Sequence, residues 1–129
     1  MDYHGKLLTE RKGRVAIITL NRPESGNSMD YELEEGIVDL IKGYDTDDEV
    51  GAIIIKGAGR MFCSGHDFGA FVEGETVHDY RRLLQAINDV ADAVMKSGKV
   101  VIAKVHGFAS ARGCQLAPVC DLVMASEEA

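Results

Sequence analysis

The chain is 129 residues long, 46% hydrophobic and 27% charged, the composition of an ordinary globular protein and the length of one domain or part of one. Its net charge of −7 excludes a general nucleic-acid-binding face, which needs basic residues, but leaves room for a small anionic ligand held by local amides and a few arginines. There is no membrane-spanning apolar run, and Met1-Asp2-Tyr3-His4-Gly5 does not open a secretory signal; three cysteines without framework spacing fit a reducing compartment, so the expected location is cytoplasmic.

Residues 14–20 are rich in Val and Ile, which predicts a strand ended by the loop Asn21-Arg22-Pro23-Glu24-Ser25-Gly26-Asn27. Ser28 is placed to cap a helix whose first turn carries Asp30 and Glu32, whose apolar face is Leu33, Ile37, Leu40 and Ile41, and whose end is Lys42-Gly43. Residues 51–56 form the next strand, and their near-continuous apolar run predicts burial on both faces. The longest periodic segment covers residues 77–95, with Val77, Tyr80, Leu84, Ile87, Ala91 and Val94 on one helical face, widened by Leu83, Val90 and Met95, and Gly98 closing it. A strand over residues 100–103, a short helix from Ala111 and a strand over 122–125 complete the order. Strands alternating with helices predict an α/β fold with mainly parallel pairing.

Two strand-to-helix junctions carry the candidate chemistry. One runs through Val105-His106-Gly107 into Ala111-Arg112-Gly113-Cys114-Gln115; the other runs from Gly57-Ala58-Gly59 into Phe62-Cys63-Ser64-Gly65-His66-Asp67. Backbone amides without partners at such junctions can hold developing negative charge, and two such loops are what an oxyanion hole for a carbonyl compound requires. Ser64, His66 and Asp67 are too close in sequence to act as a side-chain relay, which is assembled from separate segments. Cys63 with His66, and Cys114 with Cys120, lack the second close pair of a metal site, so no metal is expected. Gly57-Ala58-Gly59-Arg60 lacks the lysine and hydroxyl of a phosphate loop. His106 reads as a packed or capping histidine, and Asp121 as a helix-end residue before a buried strand. Arg112 reads equally as a contact for an anionic ligand or as a surface arginine. Gln115, one turn into the short helix, can hydrogen-bond a substrate or water but cannot take a proton as a carboxylate can. A hydrolase using Cys63 or Cys114 would need a low-pKa thiol.

Leu20-Asn21-Arg22-Pro23 with Asn27-Ser28-Met29, then Phe62-Cys63-Ser64-Gly65-His66-Asp67, then Val101-Ile102-Ala103-Lys104-Val105-His106-Gly107 with Gly113-Cys114-Gln115-Leu116 and Cys120-Asp121-Leu122 together resemble the crotonase (enoyl-CoA hydratase/isomerase) superfamily. In order and spacing these motifs span most of the chain, and Gln115 is most similar to a hydratase-domain-containing subgroup. The resemblance implies a spiral of ββα units, with residues 1–129 as the N-terminal part of one such domain, assembled as trimers or paired trimers. It implies an acyl-CoA thioester substrate, with coenzyme A carried by the substrate and no separate cofactor. By position, the two oxyanion amides would be those of Ser64 and Arg112, the latter where glycine is usual; Ser64, Gly65, His66, Asp67 and Gly113 would line the substrate.

Four residues or segments depart from the family pattern. Gln115 stands where hydratases carry a catalytic glutamate, and Glu127-Glu128-Ala129 precede the region of the second. Glu24-Ser25-Gly26 lacks a basic residue common in the first CoA-binding loop. Pro118 falls inside the short helix, which costs ~3 kcal/mol unless the helix is short or bent. The expected function is binding of a CoA thioester and stabilisation of its enolate, for hydration or double-bond isomerisation; the alternative is a non-catalytic acyl-CoA-binding or assembly protein.

Overall fold

The computed structural model describes residues 3–67 and 76–129. Among them, five strands form one sheet in chain order: β1 (Leu7–Lys12), β2 (Val15–Leu20), β3 (Ala52–Gly57), β4 (Val100–Val105) and β5 (Leu122–Ala125). β1 and β2 are antiparallel around a tight turn in which Gly13 takes φ +58, a left-handed value that glycine adopts without steric cost. Every later pairing is parallel, with Ile17 beside Ile54 and Ile54 beside Ile102. Parallel neighbours need crossovers, and helices supply them: α1 (Tyr31–Asp45), α2 (Val77–Lys96) and α3 (Arg112–Val119).

One face of the sheet carries the core. Ala16, Ile18 and Leu20 of β2, Ile53 and Ile55 of β3, and Val101 and Ala103 of β4 pack with Leu33, Ile37 and Ile41 of α1, Val90 and Val94 of α2, and Leu116 of α3. Each fully buried Leu, Ile or Val of this set stabilises the fold by about 1.5–3 kcal/mol. The α/β class and the helical crossovers agree with the sequence expectation.

Several details differ. β1 was not expected: five of its six residues are exposed, so Leu-Leu-Thr-Glu-Arg-Lys shows no apolar alternation and pairs through its backbone. Ser28 does not cap α1. Asp30 does, its carboxylate accepting from Leu33 N at 2.9 Å, and the helix runs past Gly43 to Asp45. β3 is buried on one face only, because successive side chains alternate and the helices all pack on the other side from Ile54 and Lys56. In α2 the buried residues are Ala86, Val90, Ala93 and Val94, whereas Val77, Tyr80, Leu84 and Met95 of the expected face are exposed. β5 is exposed along its whole length rather than buried. Asp121 immediately precedes it, its carboxylate accepting from Val101 N at 2.8 Å, and so ties the start of β5 to β4 rather than ending a helix. The helix holding Pro118 is eight residues long and ends one residue later, so the proline removes little hydrogen bonding.

His106 is packed, as expected, with Nε2 2.7 Å from Gly59 O. Beyond it, Gly107 takes φ +61, and a Cβ there would stand 2.2 Å from Arg60 O. Gly107→Ala is expected to destabilise the protein by about 2–4 kcal/mol, since it adds both a backbone clash and left-handed strain. Urea unfolding followed by circular dichroism measures this; a midpoint equal to that of the unsubstituted chain contradicts the close approach of Gly107 to Arg60 O.

Candidate functional site

The loops after β2, β3 and β4 are stitched side by side beyond the strand ends. Gly65 O accepts from Met29 N, and Asp67 N donates to Met29 O, each at 2.8 Å. On the other side, Phe62 N and Cys63 N donate to Phe108 O, and Ser110 N donates to Cys63 O at 3.0 Å. Asn27, fully buried with φ +56, ties the first loop to the second: its Nδ2 donates to Ala58 O at 2.8 Å and Met61 O at 2.9 Å, while its Oδ1 accepts from Arg22 N at 2.8 Å. Asp67 is held by Arg22, Nη2 to Oδ2 at 2.8 Å.

The third loop delivers α3 onto this surface. A Cβ on Gly113 would lie 2.4 Å from Cys63 O, so glycine permits the helix to touch the second loop. Gly113 is therefore buried in the contact between the loops. Gly65 takes φ +125, and a Cβ on it would lie 3.2 Å from Ala111 Cβ and 3.8 Å from Arg112 N. The two expected junctions thus meet at Gly65 and Arg112.

Arg112 does not point to solvent or to a ligand space. Its side chain is buried and grips Glu34 of α1 with both ends of the guanidinium, Nε to Oε1 at 2.7 Å and Nη2 to Oε2 at 2.9 Å. Both readings of Arg112 as an anion contact or a surface arginine are corrected by this pair. His66 Nε2 lies 3.4 Å from the same Oε1. Its alignment is too poor for a hydrogen bond, leaving this buried nitrogen without one. Burial, the largest single influence, pushes the Glu34 carboxyl up, but the contacts and charge of Arg112 together with those of His66 outweigh it, and the result is a carboxylate below its ordinary range. Glu34 was missed in the sequence. The available signal was its place between Leu33 and Ile37 on the face of α1 that also carries Val38 and Ile41.

The backbone N–H groups divide clearly. Ser64 N donates to Gly26 O at 2.9 Å, so the expected Ser64 donor is already engaged, and its Oγ donates to Ser25 O. Among the described residues, the N–H groups of His66 and Arg112 have no acceptor: His66 sits where the neighbouring Gly65 and Asp67 make the bonds to Met29, and Arg112 opens a helix. Gln115 is exposed one turn further along α3.

The enoyl-CoA hydratase/isomerase family model matches residues 10–129. The chain belongs to this family. It is 38% identical over 122 residues to the protein named "Probable enoyl-CoA hydratase, mitochondrial" of Dictyostelium discoideum, covering 94% of this chain and 43% of that one. It is 39% identical over 124 residues to "Probable enoyl-CoA hydratase" of Rhizobium meliloti, covering 95% of this chain and 47% of that one. The crystal structure of an enoyl-CoA hydratase from Mycobacterium smegmatis superposes with a TM-score of 0.87 at 34% identity, over 93% of this chain and 47% of that one. The chain spans about half the length of the curated relatives it matches.

For this enoyl-CoA hydratase/isomerase-family chain, the crotonase-like fold inferred from the three motifs holds, and the motifs are the three stitched loops. No helix among the described residues is long and apolar enough to cross a membrane. Among the described residues no group of three or more His, Cys, Asp or Glu side chains is placed to hold a metal ion. The thiol chemistry of a hydrolase finds no support at Cys63. Burial pushes its pKa up, and burial with the nearby Asp121 charge pushes Cys120 up to about 12.

Two outcomes follow from this chemistry. With an aromatic disulfide reagent, the native chain is expected to show one fast thiol, the exposed Cys114, while Cys63 and Cys120 react only on unfolding. Fast labelling that persists in Cys114→Ser contradicts the burial of the other two. The second outcome concerns acid. Because the Glu34 carboxyl is held below its ordinary 4.5, its contribution to stability is complete above that pH and is lost as pH falls through the lowered value. Urea midpoints taken from about pH 6 down to about pH 3 should fall more steeply in the native chain than in Glu34→Gln.

Proposed function

We propose that this protein binds an acyl-CoA thioester and stabilises the enolate of its acyl group between two backbone amides, those of His66 and Arg112. The observation that carries this reading is that these two N–H groups, on loops that abut at Gly65, are without acceptors among the described residues. Family membership supports the thioester as the carbonyl compound. When a nucleophile adds to the β-carbon of an enoyl thioester, an electron pair moves onto the carbonyl oxygen. Two preset N–H donors lower the energy of that oxygen without reorganising, and loss of one such donor typically costs about 2.7–4 kcal/mol of the barrier.

Proton transfer is the weak part of the machinery. Gln115 lies one helical turn from the Arg112 amide and offers an amide where family hydratases carry a glutamate. A primary amide neither takes a proton from water nor gives one to carbon near neutral pH. Slow hydration with retained thioester binding is the expected behaviour, with residues outside this segment supplying any further acid or base.

Calorimetric titration should therefore show crotonyl-CoA binding more tightly than crotonate. Gln115→Glu in the full-length protein is expected to leave crotonyl-CoA affinity nearly unchanged. It should raise hydration by roughly a hundredfold, the lower end of what a positioned acid–base group contributes. Loss of the enoyl-thioester absorbance reads the rate. Equal binding of thioester and free acid removes the CoA reading, and fast hydration that survives Gln115→Ala removes the role given to Gln115.

A further inference from the structure

Both proposed donors belong to residues whose side chains reach one carboxylate. Arg112 is bonded to Glu34 twice, and the His66 ring stands 3.4 Å from the same Oε1. Glu34 lies on neither loop; it belongs to α1 and is fully buried. Within α3 the peptide that carries the Arg112 N–H is held on its carbonyl side alone, Ala111 O accepting from Gln115 N at 3.0 Å. Arg112 is the first helical residue, so its amide has no intrahelical bond. Ala111, before it, sits at φ +46 and ψ −113, a sparsely populated region for a residue with a Cβ. A peptide plane in that position stays put only where its surroundings over-determine it.

We infer that Glu34 is the positioning residue of the two-amide site, registering the Arg112 peptide through a bidentate guanidinium and the His66 segment through ring contact. The inference rests on the reading of His66 and Arg112 as the thioester's donors. A fork of two parallel hydrogen bonds fixes the rotation of the arginine side chain as well as its distance. That grip transmits to Arg112 Cα and hence to the N–H at the head of α3. The His66 segment is held besides by Met29, two residues ahead of α1, which bonds Gly65 O and Asp67 N. Both donors are thereby aimed from α1 and the residues that lead into it. Glu34 touches no substrate in this arrangement; it acts through the two residues that do.

The test reads carbonyl polarisation directly, with butyryl-CoA as a probe that is not hydrated. In the full-length protein, difference infrared spectra of the bound thioester carbonyl should show a shift to lower frequency. Glu34→Gln is expected to bind butyryl-CoA but to lose about half or more of that shift, as expected when a donor is misaimed. A second variant, Glu34→Leu with Arg112→Met, replaces the buried pair by apolar groups of similar volume, an exchange that commonly preserves stability. It should recover thermal stability and still show the weakened shift. An unchanged shift in Glu34→Gln, or a shift restored together with stability in the double variant, overturns the positioning role and leaves the proposed function standing. Binding of butyryl-CoA with no shift in the unsubstituted protein, or no binding at all, overturns the proposed function and this inference with it.

Discussion

A carboxylate on the apolar face of α1 is kept in the interior by a guanidinium that arrives 78 residues later in the chain. Glu34 has no exposure and Arg112 only 4%, so both have surrendered their water. Desolvation costs several kcal/mol per ion, and only a well-formed pair with its remaining hydrogen-bonding capacity filled recovers it. The bidentate contact meets that demand, and a buried charge stripped of its partner costs about 3–5 kcal/mol. The start of α3 is therefore tied to α1 with little tolerance. Everything that touches Arg112, including Gly65, Ala111 and the Cys63 strand of loop, inherits that restriction.

Close backbone approach is the second constraint. Gly113 lets α3 lie on the Cys63 carbonyl, and Gly57 lets β3 end against the carbonyls of Met61 and Phe62. Asn27 then replaces a length of secondary structure, its side chain bonding three backbone groups from two loops. A second polar chain borders the first. Lys6 and Arg22 gather around Asp30, which also caps α1, and Arg22 passes the restraint on to Asp67. The acidic start of α1 thus serves helix termination and loop placement together.

The alternation of strands and helices was legible because β2, β3 and β4 are Val- and Ile-rich runs between glycine-bearing loops. The three family motifs were legible because they are contiguous in sequence. What escaped shares a cause: it depends on partners distant in sequence. β1 has no apolar pattern because its stability comes from backbone pairing with β2. The outer half of α2 carries Val77, Tyr80 and Leu84 at helical spacing, yet these side chains are exposed. The motif places the first donor at Ser64 and His66 only along the substrate, because the Gly26 carbonyl that engages Ser64 N comes from a different loop. Arg112 was readable as a backbone amide and unreadable as a side chain, since its partner Glu34 lies outside all the motifs, in α1. A lone acid among Leu33, Ile37, Val38 and Ile41 was the one local hint.

The strand order has a consequence for how the protein is made. Each strand pairs with the strand immediately before it in the chain, so the sheet grows by addition at a single edge. Such a topology keeps most pairings near in sequence and suits a chain emerging from the ribosome from its N-terminus. α1 can settle on β2 and β3 while Arg112 is still unmade. Until α3 docks, Glu34 faces a forming core with no cation, and that stretch of α1 stays hydrated or protonated. Burial of the charge and placement of the head of α3 then occur in one event. A nascent chain would hold β1 to β4 before the head of α3 was tied to α1.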